Sequence, residues 1–361
     1  MNTNKTIIVG MSGGVDSSVA ALLLKQQGYN VKGLFMQNWQ NEADEECTSA
    51  IDFEDASEVC DLLDIPLHRA NFANEYWDRV FKEFLSEHEK GRTPNPDILC
   101  NREIKFKSFL DYALKIGADL IATGHYADLR LIDGLTHLVR AKDLNKDQTY
   151  FLHEVHEDEF RKCIFPLAGL TKPEVREIAI KNNLPIARKK DSVGICFIGE
   201  RNLKDFLNRF ISFEKGVIRD ENGIEIGEHQ GSILYTEGQR QGLNIGGVKN
   251  RDELPWYVFN KDIKNNEIHV CQGVNNALLM NNALWLEKIN FINEINYDFP
   301  FDCSVQVRHQ HTPVKCKVSI DGDGYLVTFN QKIRAIAPGQ SAVLYNGDIC
   351  LGGGVIAKTL K

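Results

Sequence analysis

The chain has 361 residues, 43% of them hydrophobic, and a formal net charge of −8. That length supports two or three domains with real cores, and the acidic balance excludes binding of nucleic acid by overall charge, leaving any RNA contact to local basic patches. No apolar run reaches membrane-spanning length, no signal-peptide or Arg-rich transit pattern opens the chain, and nine cysteines, an odd number without CxxC pairs, point to a reducing, cytoplasmic setting rather than a secreted disulfide framework.

Thr6 to Met11 reads as a short buried strand, with Ile7, Ile8 and Val9 in a continuous apolar run. Ser12, Gly13 and Gly14 break it. From Ser17 the pattern turns helical, with Val19, Leu22 and Leu23 on one face and Gly28 as the stop. Strand, glycine turn and helix N-terminus make an anion site, because unpaired first-turn N–H groups and the helix dipole attract negative charge. It is neither a Walker loop, since no lysine follows Gly14, nor a GxGxxG fingerprint, since Gly10, Gly13 and Gly14 have the wrong spacing. Ser12-Gly13-Gly14-Val15-Asp16-Ser17 resembles the SGGxDS PP-loop of enzymes that split ATP between its α- and β-phosphates. In that reading Ser12 and Ser17 donate hydroxyls to pyrophosphate oxygens, and a Mg²⁺ bridges Asp16 to the phosphates. The plainer alternative is an ordinary glycine-rich turn, which leaves the Ser, Asp and Ser offsets unexplained.

Tyr29 to Met36 reads as a second strand, and the acidic stretch from Asn41 to Asp55 as a solvated face. Residues 50–63 are helical, 66–72 a strand, and 75–89 a helix whose Tyr76, Trp77, Phe81 and Phe84 belong to a core. In Gly91-Arg92-Thr93-Pro94-Asn95-Pro96-Asp97-Ile98-Leu99-Cys100-Asn101 the two prolines predict a stiff exposed loop, with Asn101 capping the next helix. Cys100 would then sit beside a helix N-terminus with Arg102 and Lys105 nearby, a setting that favours a thiolate. A buried structural cysteine is the competing reading.

Residues 119–123 predict another parallel strand ending at Gly124-His125, where a nucleotide would lie. His125 is either catalytic or held by a structural hydrogen bond. A hairpin follows around Asp133-Gly134, then a polar, exposed Lys146-Asp147-Gln148-Thr149-Tyr150, then a Thr171–Glu174 capping box opening a helix to about Asn183. Arg188 to Phe197 is a basic, glycine-containing segment with a second isolated cysteine, Cys196. After about residue 210 the chain becomes glycine-rich and β-like, with Gln239-Arg240-Gln241-Gly242 facing solvent or RNA. From 282 it is short strands at 303–309, 314–320, 325–330 and 341–345. Cys303, His309, His311 and Cys316 suggest zinc, but both cysteines alternate in step with core valines. The predicted architecture is α/β: a doubly wound parallel sheet over 1–205, a small β-rich central domain over 206–280, and a C-terminal β-barrel over 281–361.

GMSGGVDSSVAALLL, NWQNEADEEC, GRTPNPDILCN, IATGHY, NKDQTYFL, KKDSVGICFIGER, IGEHQG and PGQSAVLYNGDICLGGG occur in this order and together resemble the tRNA-specific 2-thiouridylase family across nearly the whole chain. The resemblance implies 2-thiolation of a wobble uridine in tRNA, with ATP and Mg²⁺ as cofactors and a persulfide-bearing protein as sulfur donor. It implies that Gly10, Met11, Ser12, Gly13, Gly14, Val15, Asp16, Ser17, Met36 and Gly124 bind ATP. Asn95, Pro96 and Asp97 would meet the target base, with Asp97 as acid or base. Cys100 would be the nucleophile and Cys196 the persulfide carrier, the two pairing as a disulfide after turnover. Lys146, Asp147, Gln148, Arg308 and His309 would contact tRNA. Two other readings stand beside it: a PP-loop ligase or amidotransferase acting on a small acceptor, and an ATP-gated RNA-binding protein.

Overall fold

The computed structural model of the protein describes residues 4–39, 48–191, 203–246 and 253–361. The first part of the chain supplies β1 (Thr6–Met11), β2 (Asn30–Gln37), β3 (Leu67–Asn71), β4 (Leu120–Ala122), a hairpin of β5 (Asp128–Ile132) and β6 (Leu135–Val139), and β7 (Cys163–Ile164). Five of these form a parallel sheet in the order β3-β2-β1-β4-β7. Side chains alternate across a strand, and β1 uses the alternation to fill two cores. Ile7, Val9 and Met11 pack with Val19 of helix α1 (Val15–Gln26), Val59 of helix α2 (Thr48–Leu62) and Val175. Ile8 faces the other way, among Leu34, Phe81, Phe106 and Phe109. Helices on both faces make the sheet doubly wound, as expected, and the order reverses between β1 and β4, where the crevice for a ligand opens.

The chain then forms a small sheet of β8 (Gly216–Arg219), β9 (Glu225–His229), β10 (Trp256–Asp262) and β11 (Glu267–Gln272), ordered β10-β11-β8-β9 around Ile218, Val258, Ile268 and Val270. The remainder gives β12 (Met280–Leu286), β13 (Asn290–Phe291), β14 (Phe301–Gln306), β15 (Val314–Asp321), β16 (Gly324–Arg334), β17 (Ser341–Asn346) and β18 (Ile349–Leu360). The path β12-β16-β15-β14-β17-β18 closes on itself through β18 and β12, which removes its free edges and makes a six-stranded antiparallel barrel. Cys303 and Cys316 face each other across β14 and β15, with Cys316 in the barrel core, as the alternation with valines requires. No cluster of three or more His, Cys, Asp or Glu placed for a metal occurs among the described residues.

Three expectations change. The β5–β6 hairpin turns at Asp133 and Gly134 as read, both with positive φ, but β6 pairs with β18 and so extends the barrel sheet. The helix near Cys100 begins at Pro96, not after Asn101: Pro96 fills the first helical position, where no N–H is needed, and Asn95 is the cap, accepting from the Asp97 N–H at 3.1 Å. Residues 146–150 are packed rather than exposed, with Asp147, Thr149 and Tyr150 buried.

Candidate active site

Helix α1 starts at Val15, two residues before the apolar pattern suggests, with Gly14 as its cap. The Ser17 hydroxyl accepts the Ser12 N–H at 3.2 Å, donates to the Gly14 carbonyl at 3.1 Å, and lies 3.1 Å from the Ser12 hydroxyl. Both hydroxyls therefore sit at the mouth of the first helical turn, whose N–H groups have no intrahelical acceptor. Two glycines are sterically required there. Gly13 has φ +71°, and a Cβ on it would stand 2.3 Å from the Asp52 carbonyl oxygen. A Cβ on Gly124 would stand 2.7 Å from the Ser17 amide nitrogen, because the turn after β4 lies against the start of α1. Met36 closes a third side, its terminal methyl 3.3 Å from the position of a Gly10 Cβ. Gly10 to Ser17, Met36 and Gly124 thus form one cradle.

Apart from Asp16 and Lys146, the charges around this cradle fall on residues that no sequence motif singles out. Asp16 accepts from the Lys172 ammonium at 2.8 Å on each oxygen and from the Tyr126 hydroxyl at 2.9 Å. Lys172 also pairs with Asp191 at 2.8 Å, and Asp191 takes Lys146 at 2.8 Å and Arg176 at 2.6 Å. Burial disfavours the charge on Asp191, but hydrogen bonds from Lys146 and Lys172 hold its carboxyl down to about 2. Lys189 donates to the Gly13 carbonyl at 3.1 Å and pairs with Asp52 and Asp55, so the end of the supposedly solvated acidic stretch clamps the glycine turn. Only Thr171 gave an early sign of this network: its capping box with Glu174 forms, and sets Lys172 at the head of the Lys172–Lys181 helix. With both Asp16 oxygens engaged, the donor set does not fit a metal held mainly by protein. It fits a Mg²⁺ carried on nucleotide phosphates, which needs no more than one carboxylate.

Next to the cradle runs the helix carrying Asp97 and Cys100. Pro96–Leu99 continues into a wide-turned π-helical stretch, Cys100–Ser108, and then into Phe109–Lys115. Cys100 is buried and lies inside the helix, its N–H directed to the Pro96 and Asp97 carbonyls, so the expected helix-start setting is not its environment. Asn101 is buried too and donates to the Phe151 carbonyl at 2.9 Å. Arg102 turns away to Glu103 and Glu154. Burial raises the Asp97 carboxyl above its ordinary range, against the pull of Lys105 and His309. His125 is held structurally: Thr123 Oγ1 lies 2.7 Å from its Nδ1, and Lys105 Nζ lies 3.4 Å from its Nε2.

The segment 146–148 frames the same region from the barrel side. Asp147 accepts from the Thr149 hydroxyl at 2.7 Å and the Ala141 N–H at 3.1 Å, while Gln148 Oε1 accepts the Tyr126 N–H at 2.9 Å. His309 reaches the Asp147 carbonyl at 3.2 Å and lies against Phe151, ring centroids 4.4 Å apart. Arg308 donates to the carbonyls of Glu237 and Ala335 at 2.7 and 2.6 Å. Asn95, Asp97, Cys100, Lys146 and His309 are therefore brought into one neighbourhood, whereas Arg308 serves the junction with the central sheet. Cys196, and with it the Cys100–Cys196 pairing, lies outside the described residues.

Family models match the chain in three stretches, described as a tRNA methyl transferase HUP domain over residues 5–200, a tRNA methyl transferase PRC-barrel domain over 204–272 and an aminomethyltransferase beta-barrel domain over 281–356. A tRNA-specific 2-thiouridylase MnmA of Pseudomonas fluorescens is 54% identical over 98% of this chain and 94% of its own length. Its counterpart in Francisella tularensis subsp. novicida is 53% identical over 98% of this chain and 99% of its own. Among solved structures, the U34-tRNA thiolase NcsA of Methanococcus maripaludis is similar at 19% identity and a TM-score of 0.34, over 50% of this chain and 57% of that one.

Proposed function

The chain belongs to the tRNA-specific 2-thiouridylase family, a tRNA sulfurtransferase with a nucleotide site, and on that premise we propose the two-step reaction that its own residues support. The domain description speaks of methyl transfer, but the relatives that match end to end are thiouridylases, and a sequence carrying Cys100 and Cys196 as isolated thiols suits sulfur chemistry. The substrate is the wobble uridine of specific tRNAs. The observation that carries this reading is the contact between the nucleotide side and the cysteine side: His125, next to Gly124, meets Lys105 of the Cys100 helix at 3.4 Å.

In the first step the cradle holds the ATP phosphates, with Ser12 and Ser17 donating to the pyrophosphate. A Mg²⁺ bound with the nucleotide would lie near Asp16 and would offset the phosphate charge. Asp97 takes the N3 proton of the uridine as its O2 attacks the α-phosphorus. The O2–P bond forms, the bond to the β-phosphate oxygen breaks, and pyrophosphate leaves. This turns a poor leaving group, a urea-like oxygen, into AMP. The base leaves the anticodon stack to reach Asn95, Pro96 and Asp97.

In the second step a persulfide on Cys196, loaded by a donor protein, delivers sulfur to C2 as AMP departs. Cys100 then attacks the Cys196 sulfur, releasing thiouridine, or it first frees hydrosulfide that attacks C2. Either route ends with a Cys100–Cys196 disulfide, which an external thiol must reduce. Cys196 follows Asp191 by five positions, a reach of at most about 18 Å from a residue anchored over the cradle. Lys146 to Gln148 and His309 would meet the tRNA, whereas Arg308, engaged by the Glu237 and Ala335 carbonyls, holds the junction with the central sheet instead. The chain works in the cytoplasm, as three units: residues 1–205 for catalysis, 206–280 as a connector and 281–361 as the barrel.

Incubation with ATP, tRNA and a sulfur donor tests this. Thiouridine and AMP formed only when tRNA is present support it. AMP without tRNA dependence would mark a ligase of small acceptors, and neither product would mark a binding protein.

A further inference from the structure

The wide-turned stretch Cys100–Ser108 has a geometric consequence for Lys105. In an α-helix, position i+5 points well round the axis from position i, and i+4 lies beneath it. A π turn, closing i to i+5, brings i+5 back toward the same face, and such turns concentrate at functional sites. Here Ile104 and Phe106 on either side are fully buried, while Lys105 is half-buried and near enough to Asp97 for its charge to act on that carboxyl.

His125 fixes the ammonium there. Its ring is buried between Phe106 and Phe165, centroids 5.8 and 6.0 Å away. Burial, reinforced by the Lys105 charge, keeps the ring neutral. The tautomer that satisfies both contacts carries its proton on Nδ1, donated to Thr123 Oγ1, and leaves the Nε2 lone pair to accept from Lys105. A neutral acceptor anchors the lysine without neutralising it, so the charge remains available to the carboxylate.

Building on the proposed thiolation reaction, we propose that Lys105 is a positioning residue: anchored on His125 by the π turn, its ammonium keeps Asp97 ionised so that the carboxylate can take the uridine N3 proton. The groups facing Asp97 are Lys105 from its own helix and His309 from the barrel side. His309 in turn faces Asp147 and Lys146, and burial keeps its imidazole below its ordinary range, so the charge that opposes burial at Asp97 is assigned to Lys105 rather than to His309.

The test is the pH dependence of single-turnover uridine adenylation, read as AMP attached to tRNA, for wild type, Lys105→Met and Lys105→Arg, with ATP affinity measured alongside. Loss of the charge leaves burial of Asp97 unopposed, so in Lys105→Met the acid limb of the profile moves up by about one pH unit or more, while Lys105→Arg keeps it near wild type. ATP affinity stays within about twofold, which a collapsed site would not allow. An acid limb in Lys105→Met that coincides with wild type overturns the role of Lys105 and leaves the thiolation reading intact. If Lys105→Met does not fold, Lys105→Gln decides by the same criterion. Absence of any adenylation by wild type would instead sink the reaction itself.

Discussion

A Cβ on Gly124 would stand 2.7 Å from the Ser17 amide nitrogen and 2.8 Å from the Asp16 carbonyl carbon, and neither is the end of a flexible side chain. Gly124→Ala must push β4 away from α1, so ATP affinity should fall at least tenfold by titration calorimetry while the protein stays folded. Affinity within twofold of wild type would take Gly124 out of the cradle. At Asp16, the carboxylate is the shared partner of Lys172 and Tyr126. Asp16→Ala leaves Lys172 to Asp191 alone and removes the acid beside the phosphates. It should weaken Mg²⁺-ATP binding, and unchanged affinity and turnover would remove its assigned role. The PP-loop itself was readable in Ser12 to Ser17, because backbone geometry and hydroxyl spacing are local properties. The roles of Lys172 and Lys189 were not, because each acts on a partner distant in sequence, and Lys105, read only as a neighbour of Cys100, meets His125 through a helical turn that periodicity does not reveal.

The same division holds for secondary structure. The strand predicted from Thr6 to Met11 forms with those bounds, since a continuous Ile-Ile-Val run flanked by glycine leaves little choice. The Thr171 capping box also forms as read, its Glu174 carboxylate accepting the Thr171 N–H at 2.6 Å. Thr171→Ala should cost about 1 kcal/mol, a fall in Tm of about 2–4 °C, with a smaller effect on thiolation than Asp16→Ala. A melt unchanged within 0.5 °C, as an order-of-magnitude bound, would mean that Lys172 contacts alone hold the helix start. The misread start at Asn101 has a plain cause: proline was treated as a breaker, whereas Pro96 occupies the one helical position that suits it. Residues 146–150 looked exposed because they are polar. Their hydrogen bonds are satisfied inside the fold, Thr149 meeting the Tyr345 hydroxyl at 3.2 Å and Tyr150 the Ser341 carbonyl at 3.0 Å.

Those last contacts join the parallel-sheet unit to the barrel, and a second junction joins both to the central sheet. Thr93 receives Gln340 Nε2 at 2.7 Å on its carbonyl, donates its N–H to the Pro338 carbonyl at 3.0 Å, and places its hydroxyl 3.1 Å from that of Thr236. Lys261 reaches from the central sheet to the carbonyls of Gly91 and Tyr235. The loop leading to Asn95 and Asp97 is thus held by all three units. No sequence pattern announces this, because the partners lie far apart along the chain. Burial is the main influence on Glu237 and Lys261 at this junction, raising the Glu237 carboxyl to about 7 and lowering the Lys261 amine to about 8. Folded Glu237 keeps a proton that the unfolded chain releases from its ordinary value of 4.5 upward, so its contribution to stability is lost as pH rises through about 7. For Lys261 the sign is opposite, and stability is lost as pH falls from 10.5 through about 8. Stability against denaturant should therefore dip near pH 7 to 8, and Glu237→Gln should flatten its acid side. An unaltered slope between pH 5 and 7 in that variant would show that the junction does not bury the carboxylate.

The central claim is a division of labour, with the glycine cradle and Asp97 activating the uridine and the thiols supplying the sulfur. Single turnover of Cys196→Ser with ATP, tRNA and a sulfur donor measures it directly. AMP should become attached to tRNA at close to the wild-type rate while no thiouridine forms. Loss of adenylation together with thiolation would contradict the account, because it would make Cys196 part of the fold rather than of the chemistry.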